Sequence, residues 1–249
     1  MVIVVDPQIA GISGDMLLCS LVDLGADKNQ IVEEIKKIEK FLPDSKINKI
    51  DFQKIQKNGI ESTELILEID EKISERKGVE IKNAIINSVN ELQLSDKAKS
   101  FAESCINSLI SSESKIHGIS EDSVHFHEAS SIDTLIDIVG VTLACEKLKL
   151  FEEKIVCLPV SVGSGTVSFS HGTMSNPASA VLQIFKNSNL TIKGNNANEE
   201  LTTPTGACIL VNLTDNSVEH YPSMNISSIG YGAGPVSYTH LTLPTILLV

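Results

Sequence analysis

Tryptophan is missing from this 249-residue chain, aromatic side chains make up 4% of it, and Arg76 is the single arginine among 20 basic residues. A guanidinium fork for phosphate or carboxylate is thus available at one position only. Any anionic ligand must be held mainly by lysines, backbone N–H groups or a metal. Positive charge as a whole is short: 32 acidic residues against 20 basic ones give a formal net charge of -12. The isoelectric point near 4.9 excludes a nonspecific nucleic-acid binder, which has to neutralise a phosphate backbone. No apolar run approaches the ~18 residues that suggest a membrane span. The opening Met1-Val-Ile-Val-Val5 is too short, and lacks the basic flank, for a signal peptide. There is no C-x-x-C pair either. Cys19, Cys105, Cys145, Cys157 and Cys208 are odd in number and scattered through apolar stretches, the pattern of reduced core thiols in a cytoplasmic protein. Walker A, G-x-G-x-x-G and G-x-S-x-G motifs are all absent, so nucleophilic hydrolysis is not suggested.

What is present is a globular composition. Hydrophobic residues are 42% of the chain, and the mean hydropathy is +0.10. At roughly 150 residues per domain, the length suits one large domain or two small packed ones. Val2–Val5 reads as a buried strand and is followed by a helix with Ser13 at its N-cap and Gly25 at its end. A second helix spans about residues 28–41. Alternation from Lys46 to Asp70 predicts two strands around an Asn58-Gly59 turn. Helices are predicted over 78–92 and 95–114, and a third from Ser130 or Ser131 to Leu148, with Ile132, Leu135, Ile136, Val139 and Leu143 as its buried stripe. A strand over Ile155–Val162 leads into Gly163-Ser-Gly165, read as a flexible loop. Helices follow at Ala178–Phe185 and Pro204–Leu213, both near a starting proline, and Gly230–Gly234 reads as a turn. The class is α/β, with mixed α+β the other arrangement that fits: a mixed sheet flanked by helices, with a charge-rich helical section at about 71–120.

Chemistry concentrates in a few places. His125 and His127 project to one side of an extended segment, where neutral imidazoles can ligate a first-row metal, with Glu128 a ligand or an orienting acceptor. Asp133 and Asp137 share a helix face that Gly140 and Ala144 continue with small residues. The structural alternative is a strand-end histidine pair plus acids satisfying a helix dipole. Asp6 ends the first strand, and Gly11-Ile-Ser-Gly14-Asp15 precedes a helix whose N–H groups can hold an anion; a strained turn with capping acids is the plainer account. His171 sits alone in its loop. Glu200-Leu-Thr-Thr-Pro-Thr-Gly-Ala207 offers hydroxyls, Thr202 and Thr205 among them, at a helix start, and there too capping is the plain explanation.

In order along the chain, these segments resemble the nickel insertion proteins of lactate-racemase cofactor maturation, the LarC family. The resemblance runs through Asp6 with Gly11–Met16, Lys115-Ile-His-Gly118, Val124-His-Phe-His-Glu128 with Asp133 and Asp137-Ile-Val-Gly140, Leu158-Pro159, Gly163–Val167, His171-Gly172, Glu200–Ala207 and Gly230–Gly234. It implies a lyase-class chelatase that inserts Ni(II) into a pyridinium bis-thiocarboxylate mononucleotide, forming one Ni–C and two Ni–S bonds, with CTP hydrolysed. That chemistry needs replaceable nickel ligands, a base near the pyridinium C4 proton and an anion site for the phosphate. Our own division of labour over these needs takes His125, His127, Glu128 and His171 as metal ligands, Asp6, Asp15, Asp133 and Asp137 as catalytic, and Gly11, Gly14, Thr202 and Thr205 as cofactor-binding. The resemblance implies CTP with magnesium or manganese bound by a C-terminal domain, the precursor mononucleotide and that domain as partners, a homo-oligomer as a further possibility, and no nucleic acid or membrane.

The chain departs from the family pattern in places. Glu71-Lys-Ile-Ser-Glu-Arg76 stands where many relatives carry a histidine-rich tract, Glu128-Ala-Ser-Ser131 replaces Glu-Val-Gly-Ala, and Ser175-Asn-Pro-Ala-Ser179 replaces a proline-rich run. The family's C-terminal domain is not in this sequence. Residues 1–234 read as the nickel-insertion N-terminal region. Residues 235–249, uncharged and rich in Leu and Ile toward their end, are expected to be a foreign or truncated tail. Two further readings use the same residues: a divalent-metal hydrolase built on Asp6, Asp15 and the His-x-His-Glu cluster, and a nickel-delivery protein without turnover.

Overall fold

The computed structural model of the chain describes residues 2–57, 59–127, 130–169, 172–234 and 245–248. The first third alternates strand and helix as the periodicity predicts: β1 (Val2–Asp6), α1 (Gly14–Leu24), α2 (Lys28–Ile38), then the long pair β2 (Ser45–Lys57) and β3 (Ile60–Glu71). β2 and β3 run antiparallel from Lys57 opposite Ile60 to Ser45 opposite Glu71, with an irregularity between Ile47 and Lys49. Gly59 takes φ +81°, which only glycine adopts without strain; Asn58 lies outside the described residues.

A two-residue strand β4 (Arg76–Lys77) opens the charged section, and two helices follow, α3 (Gly78–Glu91) and α4 (Asp96–His117). Ser95 caps α4 through the Ala98 N–H, and Gly118 closes it in the left-handed region. Next come β5 (His125–Phe126) and α5 (Ile132–Lys147), then β6 (Lys154–Cys157) and β7 (Val160–Val162). One predicted strand over 155–162 is thus two. Pro159 has no N–H to give the ladder, so the chain leaves β6, and β7 pairs instead with β10 (Ile192–Gly194). The expected flexible loop after Gly163 is a hairpin, β8 (Thr166–Phe169) against β9 (Gly172–Ser175). Helices α6 (Ser179–Phe185) and α7 (Pro204–Leu213) lie on either side of β10, and β11 (Asn216–Ser217), β12 (Ser228–Ala233) and β13 (Thr245–Leu248) end the chain.

The main sheet has seven strands in the order β11-β6-β1-β13-β12-β3-β2. β11, β6, β1, β12 and β3 share one direction, and β13 and β2 run against them. The expected mixed α/β sheet with helices is what forms. Of the terminal segment expected to be foreign, Thr245–Leu248 is set between β1 and β12; the rest of 235–249 lies outside the described residues.

Sidedness follows the alternation of β1. Ile3 and Val5 join the large core under the helices, while Val4 packs with Val156 and Leu158 on the other face, against Val218 and Met224. The predicted glycine turn at 230–234 is a strand, β12, and its glycines have a packing reason. A Cβ at Gly232 would lie 1.9 Å from the Met16 carbonyl oxygen, and one at Gly230 would lie 2.2 Å from that of Ser20. Helix α1 therefore rests directly on the β12 backbone. The α5 stripe is buried as expected, but so are Ile138, Val141, Ala144 and Cys145. A helix buried on every face but the one that bears Asp133 and Asp137 is a central helix, not an amphipathic surface one.

Candidate functional site

The glycine-containing start of α1 and the threonine-rich start of α7 cross each other. Ile12 and Thr202 form a parallel bridge, and the Thr203 N–H donates to the Ile12 carbonyl over 3.1 Å. Two glycines allow this approach: a Cβ at Gly11 would meet the Leu201 carbonyl oxygen at 2.2 Å, and one at Gly206 that of Ile12 at 2.3 Å. Gly11 also has φ +67°. Thr203, in place of Thr202 or Thr205, caps α7 by accepting from the Gly206 N–H at 3.1 Å. The Thr202 hydroxyl donates to the Ser161 carbonyl at 2.7 Å and is buried; Thr205 is half-buried in the first turn of α7.

Helix α5 meets α1 at the same place. Gly14 leaves room for the Asp137 side chain, and Gly140 leaves room for Leu18, so the two helices run alongside in the same sense. The small-residue face read from the sequence thus receives a helix. The amino ends of α1, α5 and α7 lie together, and three acids stand among them. Ser13 and Ser131, the N-cap residues of α1 and α5, do not cap their helices; each donates its hydroxyl to the carboxylate two residues on, Asp15 or Asp133. The Asp133 carboxylate also accepts from the Thr134 N–H at 2.6 Å.

Solvent reaches Asp133 and, in part, Asp15 and Asp137, yet protein encloses all three, and the enclosure governs their titration. Burial pushes the Asp137 carboxyl well above the ordinary carboxylate range, with the like charges of Asp15 and Asp133 adding to it. Burial also raises Asp15, against the opposing hydrogen bond from Ser13, and raises Asp133, against those from Ser131 and Thr134. Two thiols lie close to this group: Asp137 adds to the burial that raises both Cys19 and Cys208. Carboxyls raised above the ordinary carboxylate range are suited to proton transfer.

The histidine segment leads toward α5 through Ser130, whose hydroxyl donates to the His127 carbonyl at 2.9 Å. Phe126 is buried and His125 and His127 are exposed, the same-side projection expected of an extended segment. β5 pairs with β4, Arg76 opposite Phe126 and Lys77 opposite His125, and His127 Nδ1 lies 3.6 Å from Glu75 Oε2. Glu128 and His171 lie outside the described residues. His117 is a helix-end residue, its Nε2 3.3 Å from Glu113 Oε2. Among the described residues no three His, Cys, Asp or Glu side chains are grouped to hold a metal ion. Asp6 is held apart from the acid trio: it accepts from the Gln8 N–H at 3.0 Å and from the Tyr221 hydroxyl, whose pKa is raised by burial and then by that carboxylate.

The structure thus brings together Gly11, Gly14, Asp15, Thr202, Asp133 and Asp137. Sequence reasoning missed Asn176, whose buried Nδ2 ties the base of the β8–β9 hairpin to the α7 approach through Ser164 O at 3.2 Å and Glu199 O at 2.6 Å. It also missed Glu71 and Arg76, the residues that seat α5. A lone arginine in an acidic chain was the available signal.

A family profile described as "Nickel insertion protein" matches residues 3–247. A protein of Staphylococcus epidermidis named pyridinium-3,5-bisthiocarboxylic acid mononucleotide nickel insertion protein is 36% identical over 242 residues, which cover 96% of this chain and 56% of that protein. One of the same name from Geobacillus kaustophilus is 35% identical over 231 residues, covering 90% of this chain and 54% of its own length. The chain therefore spans about half the length of the curated relatives it matches. No solved structure gives a significant match. With nearly every described element inside the matched span, the chain belongs to the nickel insertion protein family.

Proposed function

We propose that this chain carries the nickel-handling part of a metal-inserting chelatase, acting in the cytoplasm on a pyridinium-3,5-bisthiocarboxylic acid mononucleotide. The names of the relatives supply the substrate. The observation that carries the reading is Asp137, a carboxyl in a largely buried helix, near Asp15 and Asp133, where three helices begin. An ionisable group is costly in such a setting, and its raised pKa makes it a stronger base when ionised.

In this reading nickel is the cargo. His125 and His127 present it through replaceable imidazoles, joined by Glu128 and His171. The two thiocarboxylate sulfurs bind Ni(II), the C4–H bond breaks as the Ni–C bond forms, and an ionised member of the Asp15–Asp133–Asp137 group takes the proton. The N–H groups at the starts of α1 and α7 receive the mononucleotide phosphate. CTP, with magnesium or manganese, is used by the part of the full-length relatives beyond the match. The test is to incubate the precursor with this chain, Ni(II) and CTP, with and without the remaining part of a relative, and to follow absorbance and mass. A product heavier by nickel less two protons or more, formed only with the chain present, supports the reading. Its absence even with the remaining part supplied removes it.

A further inference from the structure

Arg76 is 4% exposed, although it carries the only guanidinium of the chain. A charge buried this deeply has to be paired. Its NH1 lies 3.1 Å from Glu71 Oε2 and also donates to the Ser130 carbonyl, and its NH2 donates to Ser45 Oγ at 2.7 Å. Ser45 Oγ in turn donates to Glu71 Oε2 at 2.8 Å. The second carboxylate oxygen of Glu71 accepts from the Ile132 N–H at 2.7 Å. Glu71 thus serves as the cap of α5 from 61 residues away, while Ser131, the local N-cap, is left to hold Asp133. The backbone of Arg76 meanwhile pairs with Phe126, between the two histidines, and Ser130 Oγ closes the segment onto the His127 carbonyl at 2.9 Å.

We infer that the buried Arg76–Glu71 pair is a positioning unit that locks the histidine strand and the acid-bearing end of α5 into one fixed relation. Arg76 is well suited to it, because a planar fork can serve Glu71, Ser130 and Ser45 at once, whereas a lysine ammonium is a flexible point charge. Neither residue touches the reacting atoms; both act through His125, His127, Asp133 and Asp137. The inference rests on the reading that those residues handle nickel together.

The test compares the full chain with Arg76→Lys, Glu71→Gln, His127→Ala and the Arg76→Lys/His127→Ala double variant. Measurements are amide hydrogen exchange at 130–134, Ni(II) affinity by calorimetry, and the thermal midpoint. Arg76→Lys is expected to speed exchange at Ile132–Thr134 and to weaken Ni(II) binding roughly tenfold or more, as loss of a residue orienting metal ligands does. Glu71→Gln keeps an acceptor for Ile132 but takes the counter-charge from the buried guanidinium, and is expected to lose at least as much. In the double variant, Arg76→Lys should cost less than it does in the parent, because residues acting through one another are not additive. Additive losses, or faster exchange with unchanged affinity, would reduce the pair to a structural brace and overturn the inference. A variant too unstable to compare at 25 °C is replaced by Ser45→Ala, which loosens the same fork and carries the same expectations. If the parent chain binds no Ni(II), the nickel reading fails, while exchange at 130–134 still decides whether the pair seats α5.

Discussion

Gly14 and Asp137 face each other so closely across the α1–α5 contact that a Cβ on residue 14 would lie 2.4 Å from the Asp137 carboxylate. Glycine at position 14 is therefore what lets an acid occupy the contact. Gly14→Ala is expected to push Asp137 out of place and to destabilise the fold by about 1–3 kcal/mol, as overpacking does. Chemical denaturation measures the cost, and an unchanged midpoint would show that the contact is slack.

Asp137 itself has a pH signature. Its folded-state pKa is raised, so the folded protein holds that proton more tightly than the unfolded chain does. The stability this confers is fully present below the ordinary carboxylate pKa of about 4 and is lost as pH rises through the folded pKa. Asp137→Asn should match the parent in stability at low pH and exceed it once the pH has risen through the folded pKa. Insertion by the complete system should fall about 10²–10⁴-fold, the usual contribution of a proton-transfer group. An active, equally pH-sensitive variant would remove Asp137 from the mechanism.

His125 and His127 are exposed on the short strand β5. Replacing both with alanine is expected to abolish stoichiometric Ni(II) binding while shifting stability by no more than about 0.5 kcal/mol, the usual range for surface changes. Unchanged binding by calorimetry would make the pair structural.

Gly232 predicts the opposite pattern. A Cβ there would sit 1.9 Å from the Met16 carbonyl, so Gly232→Ala should lift α1 off β12, at a cost on the order of 1–3 kcal/mol. Because the proposed nickel ligands lie off α1, Ni(II) affinity should change little. Denaturant titration and calorimetry on the same sample would read both.

The local elements were largely legible. The helix start at Ser95 and the helix end at Gly25, the 3.6-residue period of α3 and α4, and the alternation of β2 and β3 are properties of neighbouring residues, and neighbours in sequence suffice to encode them. Two readings failed for the same reason. Gly230–Gly234 looked like a turn because glycine usually marks one, but here the glycines serve a helix more than 200 residues earlier. The 155–162 strand divides because Pro159 ends its pairing, and no periodicity shows which new partner waits in β10.

By itself, then, the sequence determined the α/β class, the net negative charge, the same-side projection of His125 and His127, and the motifs that carry the family resemblance. Only the tertiary structure decided that the starts of α1, α5 and α7 meet, that α5 is buried on every face but the one bearing Asp133 and Asp137, and that Glu71, bonded to Arg76, accepts from the first N–H of that helix. The reason is physical. Hydrophobic period and capping are fixed by residues a few positions apart, whereas a buried carboxyl and a shared guanidinium depend on which distant backbones approach closely enough to exclude water, and that follows from packing the whole chain at once.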